Sequence, residues 1–219
     1  MKVIELKETV TASNDRDAEV LREELTMRGV LLVNLMSAPG SGKTSLLTKT
    51  VQDLSELKIA VLEADLDAQV DAETMEAAGA RSIQAHTDGM CHMDAGMTAR
   101  AWREIDPDGV DLAILENVGN LICPAEFDTG AGLNVMLLSV PEGDDKPLKY
   151  PLMFRNSDAL IISKTDALPW FDFDVERCTE RARKLNPEIA VFPLSAKSGE
   201  GMDAWEAWLR RQRKEILHA

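Results

Sequence analysis

The chain has 219 residues, of which 45% are hydrophobic and 28% charged, a balance typical of a globular protein with one α/β core. Its 24 basic residues against 38 acidic ones give a net charge of −14, which argues against nonspecific binding to nucleic acid or anionic membranes. Three cysteines, Cys91, Cys123 and Cys178, form no disulfide framework and favour a reducing compartment. Without a signal-peptide pattern or a membrane-length apolar run, the sequence predicts a cytoplasmic protein.

The N-terminal part is predicted to be an appendage of the main domain. Residues 1–12 are expected to form an extended lead-in, followed by a helix through about Arg28 that the polar run Ser13-Asn14-Asp15 would cap. We therefore divide the chain into an N-terminal lead-in and helix over 1–29, packed on the sheet, and a main domain over 30–219.

Six short apolar runs separated by polar segments of helix length make up the rest of the chain. Continuous runs of this kind are typical of parallel strands buried on both faces, and the alternation predicts βαβ units with right-handed crossovers. The expected fold class is α/β, a mostly parallel twisted sheet with helices on both faces. The predicted strands are Val30–Met36, Ile59–Leu62, Asp111–Leu115, Val135–Val140, Ala159–Ile162 and Ala190–Leu194, and the predicted helices lie near 45–57, 71–79, 93–105, 145–156, 173–186 and 202–216.

The first predicted strand runs into Ser37-Ala38-Pro39-Gly40-Ser41-Gly42-Lys43-Thr44, after which a helix is expected. A strand, a Gly-rich turn ending in Gly-Lys-Thr and a helix are the context of a phosphate-binding P-loop, which makes the expected fold a three-layer P-loop nucleoside triphosphatase. Lys43 would reach the β- and γ-phosphates, and Thr44 would offer a ligand to Mg²⁺. An ordinary Gly-rich turn is the alternative. The predicted phosphate-binding residues are Gly40, Ser41, Gly42, Lys43, Thr44 and Ser45.

Acidic residues stand at the ends of two predicted strands. Glu63-Ala64-Asp65 closes the second strand, with Asp71 six residues beyond Asp65, and Glu116 closes the third. Ligands bind at the carboxyl ends of strands in open α/β sheets, and Mg²⁺ prefers oxygen ligands. Any one of these acids could be a solvated strand end, but together they predict groups that hold Mg²⁺ or position water.

Two further motifs predict guanine specificity. Ser163-Lys164-Thr165-Asp166 resembles the Asn-Lys-x-Asp motif of GTPases, and Ser195-Ala196-Lys197 resembles their Ser-Ala-Lys motif. The Asp166 carboxylate can accept from the N1–H and 2-amino groups of guanine, which adenine lacks, while the Lys164 stem covers the base and main-chain N–H groups near Ala196 meet O6. A site built to bond such groups rejects analogues without them, so GTP is expected rather than ATP.

A separate constellation predicts a transition-metal site. Cys91 and His92 are adjacent, and Cys123 follows 32 residues after Cys91. Two thiolates and an imidazole suit Zn²⁺ or Ni²⁺, with a fourth position left open or supplied by a partner. Adjacent ligands are not a zinc-finger pattern, and buried cysteines with a helix-capping histidine are the alternative.

Three runs together resemble HypB, the family of hydrogenase nickel-incorporation GTPases: GMCHMDA (Gly89–Ala95), ENVGNLICP (Glu116–Pro124) and EGDDKPLKYP (Glu142–Pro151). The resemblance extends from about residue 13 to 217. It implies a nickel metallochaperone of the dimerising P-loop GTPase class that also includes signal-recognition GTPases. Such a protein would work with a HypA-like nickel chaperone, and often with SlyD, to load nickel into the large subunit of [NiFe]-hydrogenase. The related urease accessory GTPases differ by a Cys-Pro-His motif.

The resemblance also implies roles for particular residues. Cys91, His92 and Cys123 would bind Ni²⁺ or Zn²⁺ near the interface of a homodimer that forms with GTP. Because Glu116 and Cys123 are only seven residues apart, the nucleotide state would move a metal ligand directly. The implied Mg²⁺ shell is Thr44, Asp65, Asp71 and Glu116, and the implied catalytic residues are Lys43, Asp65 and Glu116.

The sequence departs from the family pattern in three places. Some members carry Cys or His residues near the N-terminus that chelate or store nickel; residues 1–30 contain neither, so we expect no such function of this segment. Ser37 replaces the first Gly of the P-loop, a position that often needs an unusual backbone angle. Ser163 replaces the usual Asn, which is expected to lower nucleotide affinity but not guanine selectivity. A regulatory GTPase without a metal role, a urease-accessory-like nickel GTPase and a P-loop kinase or ligase remain alternatives.

Overall fold

The computed structural model describes residues 6–64, 69–87 and 89–217, with side chains over 12–64, 73–87 and 89–215. Its centre is a sheet of seven parallel strands in the order β3-β2-β4-β1-β5-β6-β7. Every strand pair is parallel, and the predicted α/β class with a parallel sheet is therefore confirmed. The strands are β1 Leu31–Ser37, β2 Ile59–Glu63, β3 Arg81–Gln84, β4 Leu112–Glu116, β5 Leu133–Ser139, β6 Ala159–Ser163 and β7 Ala190–Pro193.

Helices cover both faces of this sheet. In β1, Leu31, Val33 and Leu35 belong to one buried cluster, whereas Leu32 belongs to a second cluster on the other face. Because successive side chains of a strand point to opposite faces, one continuous apolar strand supplies both hydrophobic layers. The helices are α1 Leu6–Met27, α2 Lys43–Asp53, α3 Gln69–Ala78, α4 Ala95–Glu104, α5 Lys146–Lys149, α6 Pro151–Arg155, α7 Val175–Leu185 and α8 Met202–Leu217.

The extended lead-in predicted for residues 1–12 is wrong where the structure describes it, because α1 already begins at Leu6. The run Leu6–Thr11 contains no Gly or Pro to stop a helix, and Leu, Lys and Glu are good helix formers. The predicted capping run Ser13-Asn14-Asp15 lies inside α1 instead. Asn14 has its side-chain partners elsewhere in the fold, and it therefore does not begin a helix. Residues 1–5 lie outside the described part of the chain.

Two other differences have local causes. Strand β3 was not predicted, since Arg81–Gln84 is only half buried at the edge of the sheet and carries no continuous apolar run. The single helix predicted at 145–156 is two short helices. They meet at Tyr150, whose φ of −129° and ψ of 56° are not helical, because the following Pro151 disfavours the helical region for the residue before it. None of the helices in the described part of the chain is long and apolar enough to cross a membrane.

Candidate nucleotide and metal sites

A Gly-rich loop joins the end of β1 to the first turn of α2. The chain turns at Gly40 (φ 74°) and Gly42 (φ 100°), angles of the left-handed region that glycine adopts without strain. Gly42 is the N-cap of α2, so the first-turn N–H groups and the positive end of the helix dipole face the loop, as an anion site requires. The loop and the first turn of α2 contain the predicted phosphate-binding residues Gly40, Ser41, Gly42, Lys43, Thr44 and Ser45.

Ser37 needs no unusual backbone angle, and this expectation was wrong. It is the last residue of β1 and lies outside the left-handed region. Its buried hydroxyl accepts a hydrogen bond from Lys43 Nζ at 3.0 Å and donates one to the Ala38 carbonyl at 2.8 Å. Ser37 therefore holds the ammonium group at the mouth of the loop, a role that the sequence did not predict.

An acidic strand end lies near this ammonium group on the neighbouring strand β4. Glu116, which ends β4, has its Oε1 3.9 Å from Lys43 Nζ, and both side chains are buried. The register partner of Glu116 is Glu63, the buried last residue of β2. Glu63 was not among the predicted ligands, although it carries the same signal as Glu116, an acid closing an apolar strand. Asp65 and the side chain of Asp71 lie outside what the structure describes, so their roles stay predictions.

A pocket of about 240 Å³ beside the P-loop contains both predicted guanine motifs. Asp166 Oδ1 accepts a hydrogen bond from the buried Ser195 hydroxyl at 2.7 Å, which ties the two motifs together. Lys164 has a left-handed backbone (φ 59°), and its Nζ donates to the Gly40 carbonyl at 2.7 Å, so its stem crosses from the pocket to the phosphate loop. The pocket lining includes Ser41, Gly42, Ser45, Ser163, Lys164, Asp166, Ser195, Ala196 and Lys197.

Ser163 contacts the P-loop although it is shorter than the usual Asn. Its hydroxyl donates to the Ser41 carbonyl at 2.7 Å, and both side chains are buried. A hydrogen bond of this kind contributes about 1 kcal/mol. The brace between the end of β6 and the phosphate loop is thus present in this chain, while the expected loss of nucleotide affinity stays a prediction.

The three predicted transition-metal ligands lie together. One ligand atom from each of Cys91, His92 and Cys123 falls within 4.8 Å of the other two, and Cys91 Sγ is 3.7 Å from His92 Nδ1. The neighbouring Cys91 thiol raises the pKa of the Cys123 thiol, with burial as a second cause, and burial lowers the pKa of His92. A neutral imidazole is the ligand form, and a metal ion would supply the charge that the thiols need to ionise. Two sulfurs and one nitrogen therefore fit a borderline-soft ion such as Ni²⁺ or Zn²⁺.

The segments that carry these ligands are joined by side chains for which the sequence did not predict this role. The His92 ring stacks on Phe127, with centroids 3.9 Å apart and an interplanar angle of 15°. The buried Asn14 side chain of α1 accepts from the Ala95 backbone N–H at 3.0 Å and donates to the Asp128 carbonyl at 2.9 Å. Helix α1 thus fastens the Cys91-His92 segment to the segment that follows Cys123.

The fold and the phosphate loop define a P-loop nucleotide-binding domain, and residues 31–193 match the family model described as CobW/HypB/UreG, nucleotide-binding domain. The chain is 45% identical over 219 residues to the hydrogenase maturation factor HypB of Azotobacter chroococcum mcd 1, covering 100% of this chain and 72% of that protein. It is 38% identical over 218 residues to the hydrogenase/urease maturation factor HypB of Helicobacter pylori strain J99, covering 98% and 90% of the two chains.

A solved structure shows the same architecture. The crystal structure of HypB from Helicobacter pylori in complex with nickel matches with a TM-score of 0.88 at 39% identity, covering 93% of this chain and 96% of that one. The chain belongs to the HypB family of hydrogenase maturation factors. The resemblance noted from the sequence is confirmed.

Proposed function

We propose that the protein hydrolyses GTP and uses that cycle to deliver nickel during maturation of [NiFe]-hydrogenase. The observation that carries this proposal is the position of one short segment between two sites. It begins at Glu116, 3.9 Å from the P-loop Lys43, and seven residues later it supplies Cys123 to the thiol–imidazole cluster. Membership of the HypB family and the nickel complex of the Helicobacter pylori protein support it.

The nucleotide would lie across the P-loop with its base in the pocket of the two guanine motifs. Lys43 would neutralise charge on the β- and γ-phosphates, and Asp166 would select guanine. When bound, Mg²⁺ would supply positive charge that stabilises the transition state. Oxygen ligands fit this role, and the residues proposed to hold Mg²⁺ are Thr44, Asp65, Asp71 and Glu116. Asp65 and Glu116 are also the residues proposed to orient the attacking water.

Nickel is the cargo rather than a fixed cofactor in this proposal. Cys91, His92 and Cys123 would bind Ni²⁺ through two thiolates and one imidazole, and Zn²⁺ fits the same donors. Three protein ligands leave a coordination position for a partner molecule. That position would let the ion pass from a HypA-like chaperone or to the hydrogenase large subunit, with SlyD as a further partner.

GTP would act as the switch and hydrolysis as its reset. The γ-phosphate and Mg²⁺ would order the segment that follows β4, and a GTP-bound homodimer would bring two copies of that segment together. By linkage, an effect of GTP on metal affinity requires an equal effect of metal on GTP affinity.

Equilibrium Ni²⁺ and Zn²⁺ titrations of the apo, GDP-bound and GTP-analogue-bound protein, with the mass measured in each state, test this function. We expect one site per chain, GTP-dependent dimerisation and different metal affinities in the two nucleotide states. The P-loop variant Lys43→Ala should lose GTP hydrolysis and the nucleotide effect while keeping the metal site. Metal binding that survives Cys→Ala at both Cys91 and Cys123 would favour a regulatory GTPase instead.

Nickel delivery to urease is a second candidate client pathway. The relative from Helicobacter pylori is described as a hydrogenase/urease maturation factor, and it matches over 98% of this chain. Reconstitution of apo-hydrogenase and apo-urease with the nickel-loaded protein distinguishes the two. Activation of only urease would exclude the hydrogenase assignment.

A further inference from the structure

An amide chain, made of the hydrogen-bonded side-chain amides of Asn117, Asn34 and Asn134, links the residue directly after β4 to β1 and β5. Asn117 Nδ2 donates to Asn34 Oδ1 at 3.0 Å, and Asn34 Nδ2 donates to Asn134 Oδ1 at 2.9 Å. Asn34 and Asn117 are each only 1% exposed. A buried amide is costly unless it is hydrogen-bonded, so the side chains of Asn34 and Asn117 depend on the bonds of this amide chain.

Backbone N–H groups fix which atom of each side-chain amide donates and which accepts. Asn117 Oδ1 accepts hydrogen bonds from the backbone N–H groups of Met93 at 3.1 Å and Val118 at 2.9 Å. Since a backbone N–H can only donate, the oxygen of the Asn117 amide must face Met93 and its nitrogen must face Asn34. The Asn34 oxygen therefore faces Asn117, and its nitrogen faces Asn134. Asn117 is the member of this amide chain whose oxygen bonds Met93, in the segment that carries Cys91 and His92.

At one end, Asn117 is tied to the phosphate loop. It directly follows Glu116, whose carboxylate is 3.9 Å from Lys43 Nζ, and its own N–H donates to the Leu35 carbonyl in β1 at 3.0 Å. Two residues later, a Cβ added to Gly119 would lie 3.0 Å from Pro39 Cγ in the P-loop. The post-β4 segment therefore packs directly against the loop that would hold the phosphates, and a shift of either moves the other.

At the other end, Asn117 is tied to the metal cluster. Met93, which donates to it, is the residue after His92 and is itself buried. The His92 ring itself stacks on Phe127. Because Met93 directly follows His92, a displacement of Asn117 would act on the backbone that carries the imidazole.

We propose that Asn117 is a positioning residue that transmits the state of the nucleotide site to His92 through its hydrogen bond to the Met93 N–H. The inference rests on the proposed function, because it names the side chain through which nucleotide and metal would be coupled. One link between the two sites is the backbone from Glu116 to Cys123, and the Asn117–Met93 hydrogen bond is a second. With both links, His92 as well as Cys123 would respond to GTP.

The test compares Asn117→Ala with Asn134→Ala in equilibrium Ni²⁺ titrations of the GDP and GTP-analogue states. Both substitutions remove a member of the same amide chain, but only Asn117→Ala removes the acceptor of the Met93 N–H. In the unaltered protein we expect the two affinities to differ by about 5- to 150-fold, the ordinary range for coupled sites. Asn117→Ala should bring the ratio below about threefold, whereas Asn134→Ala should preserve it.

The outcomes separate this inference from the proposed function. Equal metal affinities in both states of the unaltered protein would overturn the nucleotide–metal coupling and this inference with it. A normal affinity ratio in Asn117→Ala would overturn only the role of Asn117. An equal loss in Asn134→Ala would show that the effect comes from weakened packing of the sheet, and would also overturn it.

A second measurement needs no substitution at Asn117. In nuclear magnetic resonance spectra of the unaltered protein with Ni²⁺ replaced by diamagnetic Zn²⁺, the Met93 amide and the Asn117 side-chain NH₂ group should shift between the GDP and GTP-analogue states. The Asn186 side-chain NH₂ group, which bonds the Ser157 carbonyl, serves as a reference away from both sites. Unchanged Met93 and Asn117 signals, in a sample whose Lys43 signals do change, would overturn the inference.

Discussion

The ammonium group of Lys43, at the start of α2, lies 3.0 Å from the hydroxyl of Ser37, six residues earlier at the end of β1. Both side chains are buried, and the serine stands where the P-loop pattern has its first glycine. A hydrogen bond to a charged group contributes about 1.5–3 kcal/mol, more than one between neutral groups. The serine is therefore a structural partner of Lys43 and not only a tolerated departure from the motif.

We expect Ser37→Ala to lower the free energy of unfolding of the nucleotide-free protein by about 1.5–3 kcal/mol, because it removes this charged hydrogen bond. Urea denaturation measures the change. Ser41→Ala is a matched control in the same loop, since the Ser41 hydroxyl is equally buried and has no hydrogen-bond partner among the described residues. If both variants lose the same amount, the contact between Ser37 and Lys43 adds nothing to stability.

Asp166→Asn should shift nucleotide preference from GTP toward xanthosine triphosphate. The amide reverses the hydrogen-bond match at the 2-position, where xanthine carries an oxygen in place of the amino group of guanine. The fold should be kept, because an amide oxygen can still accept the hydrogen bond from Ser195. Competition binding with GTP and xanthosine triphosphate measures the preference. Asp172→Asn makes the same change of charge at an exposed position nearby.

An unchanged preference for GTP in Asp166→Asn would show that the base is recognised elsewhere. A preference that changes equally in Asp172→Asn would point to net charge instead of a direct contact. A site built around the donors of guanine is expected to discriminate strongly, so the shift should exceed an order of magnitude.

The fold was readable from the sequence because its central strands are buried on both faces. β1 is buried along its whole length and leads into the Gly-Lys-Thr turn, so neither its type nor its role required knowledge of its neighbours. The edge strand β3 differs, since Arg81–Gln84 is half buried and becomes a strand only by pairing with β2. Whether this segment forms a strand depends on tertiary contacts, which its local sequence does not show.

The candidate sites also combine features that the local sequence shows with contacts that only the fold creates. Cys91 and His92 are neighbours in the chain, and their type alone indicates metal chemistry, whereas their meeting with Cys123 depends on where β4 and α4 place the two segments. Asn14 has the local chemistry of a helix cap, but its partners are 81 and 114 residues away. A polar residue with distant buried partners is indistinguishable in sequence from one that caps a helix, and this is why the start of α1 was misplaced.

Stability should also depend on pH through Glu206 in α8. Burial raises the pKa of Glu206 to about 7, helped by a hydrogen bond with Asp53 of α2, whose own pKa is lowered chiefly by Lys49. Between pH 4.5, the ordinary pKa of a glutamate, and about pH 7, Glu206 of the folded protein holds a proton that the unfolded chain has released. Stability contributed by this group is therefore lost as pH rises through that window.

Glu206→Gln cannot ionise, so we expect it to be more stable than the unaltered protein above pH 7, by on the order of 1–3 kcal/mol at about 1.4 kcal/mol per pKa unit. The difference should shrink as the pH falls toward 4.5. Thermal unfolding from pH 4.5 to 8 measures it, with Glu215→Gln at an exposed position of the same helix as the control. A stability difference that is constant across this range would rule out ionisation of Glu206 as the cause.

Cys123 shares the segment after β4 with Glu116. Because a P-loop GTPase of this class would pair across its nucleotides, GTP analogues with Mg²⁺ should favour a dimer in which nickel binds differently from the GDP form. Cys123→Ala should lower Ni²⁺ affinity by at least tenfold and erase most of the difference between nucleotide states, while leaving GTP hydrolysis of the metal-free protein nearly unchanged.

Cys178→Ala is the control, since burial raises the pKa of that thiol to about 12 and it lies outside the cluster. Isothermal titration and mass measurement in each state provide the readout. Nickel affinity that is unaffected by Cys123→Ala would remove this thiol from the site, and an equal loss in Cys178→Ala would attribute the effect to packing.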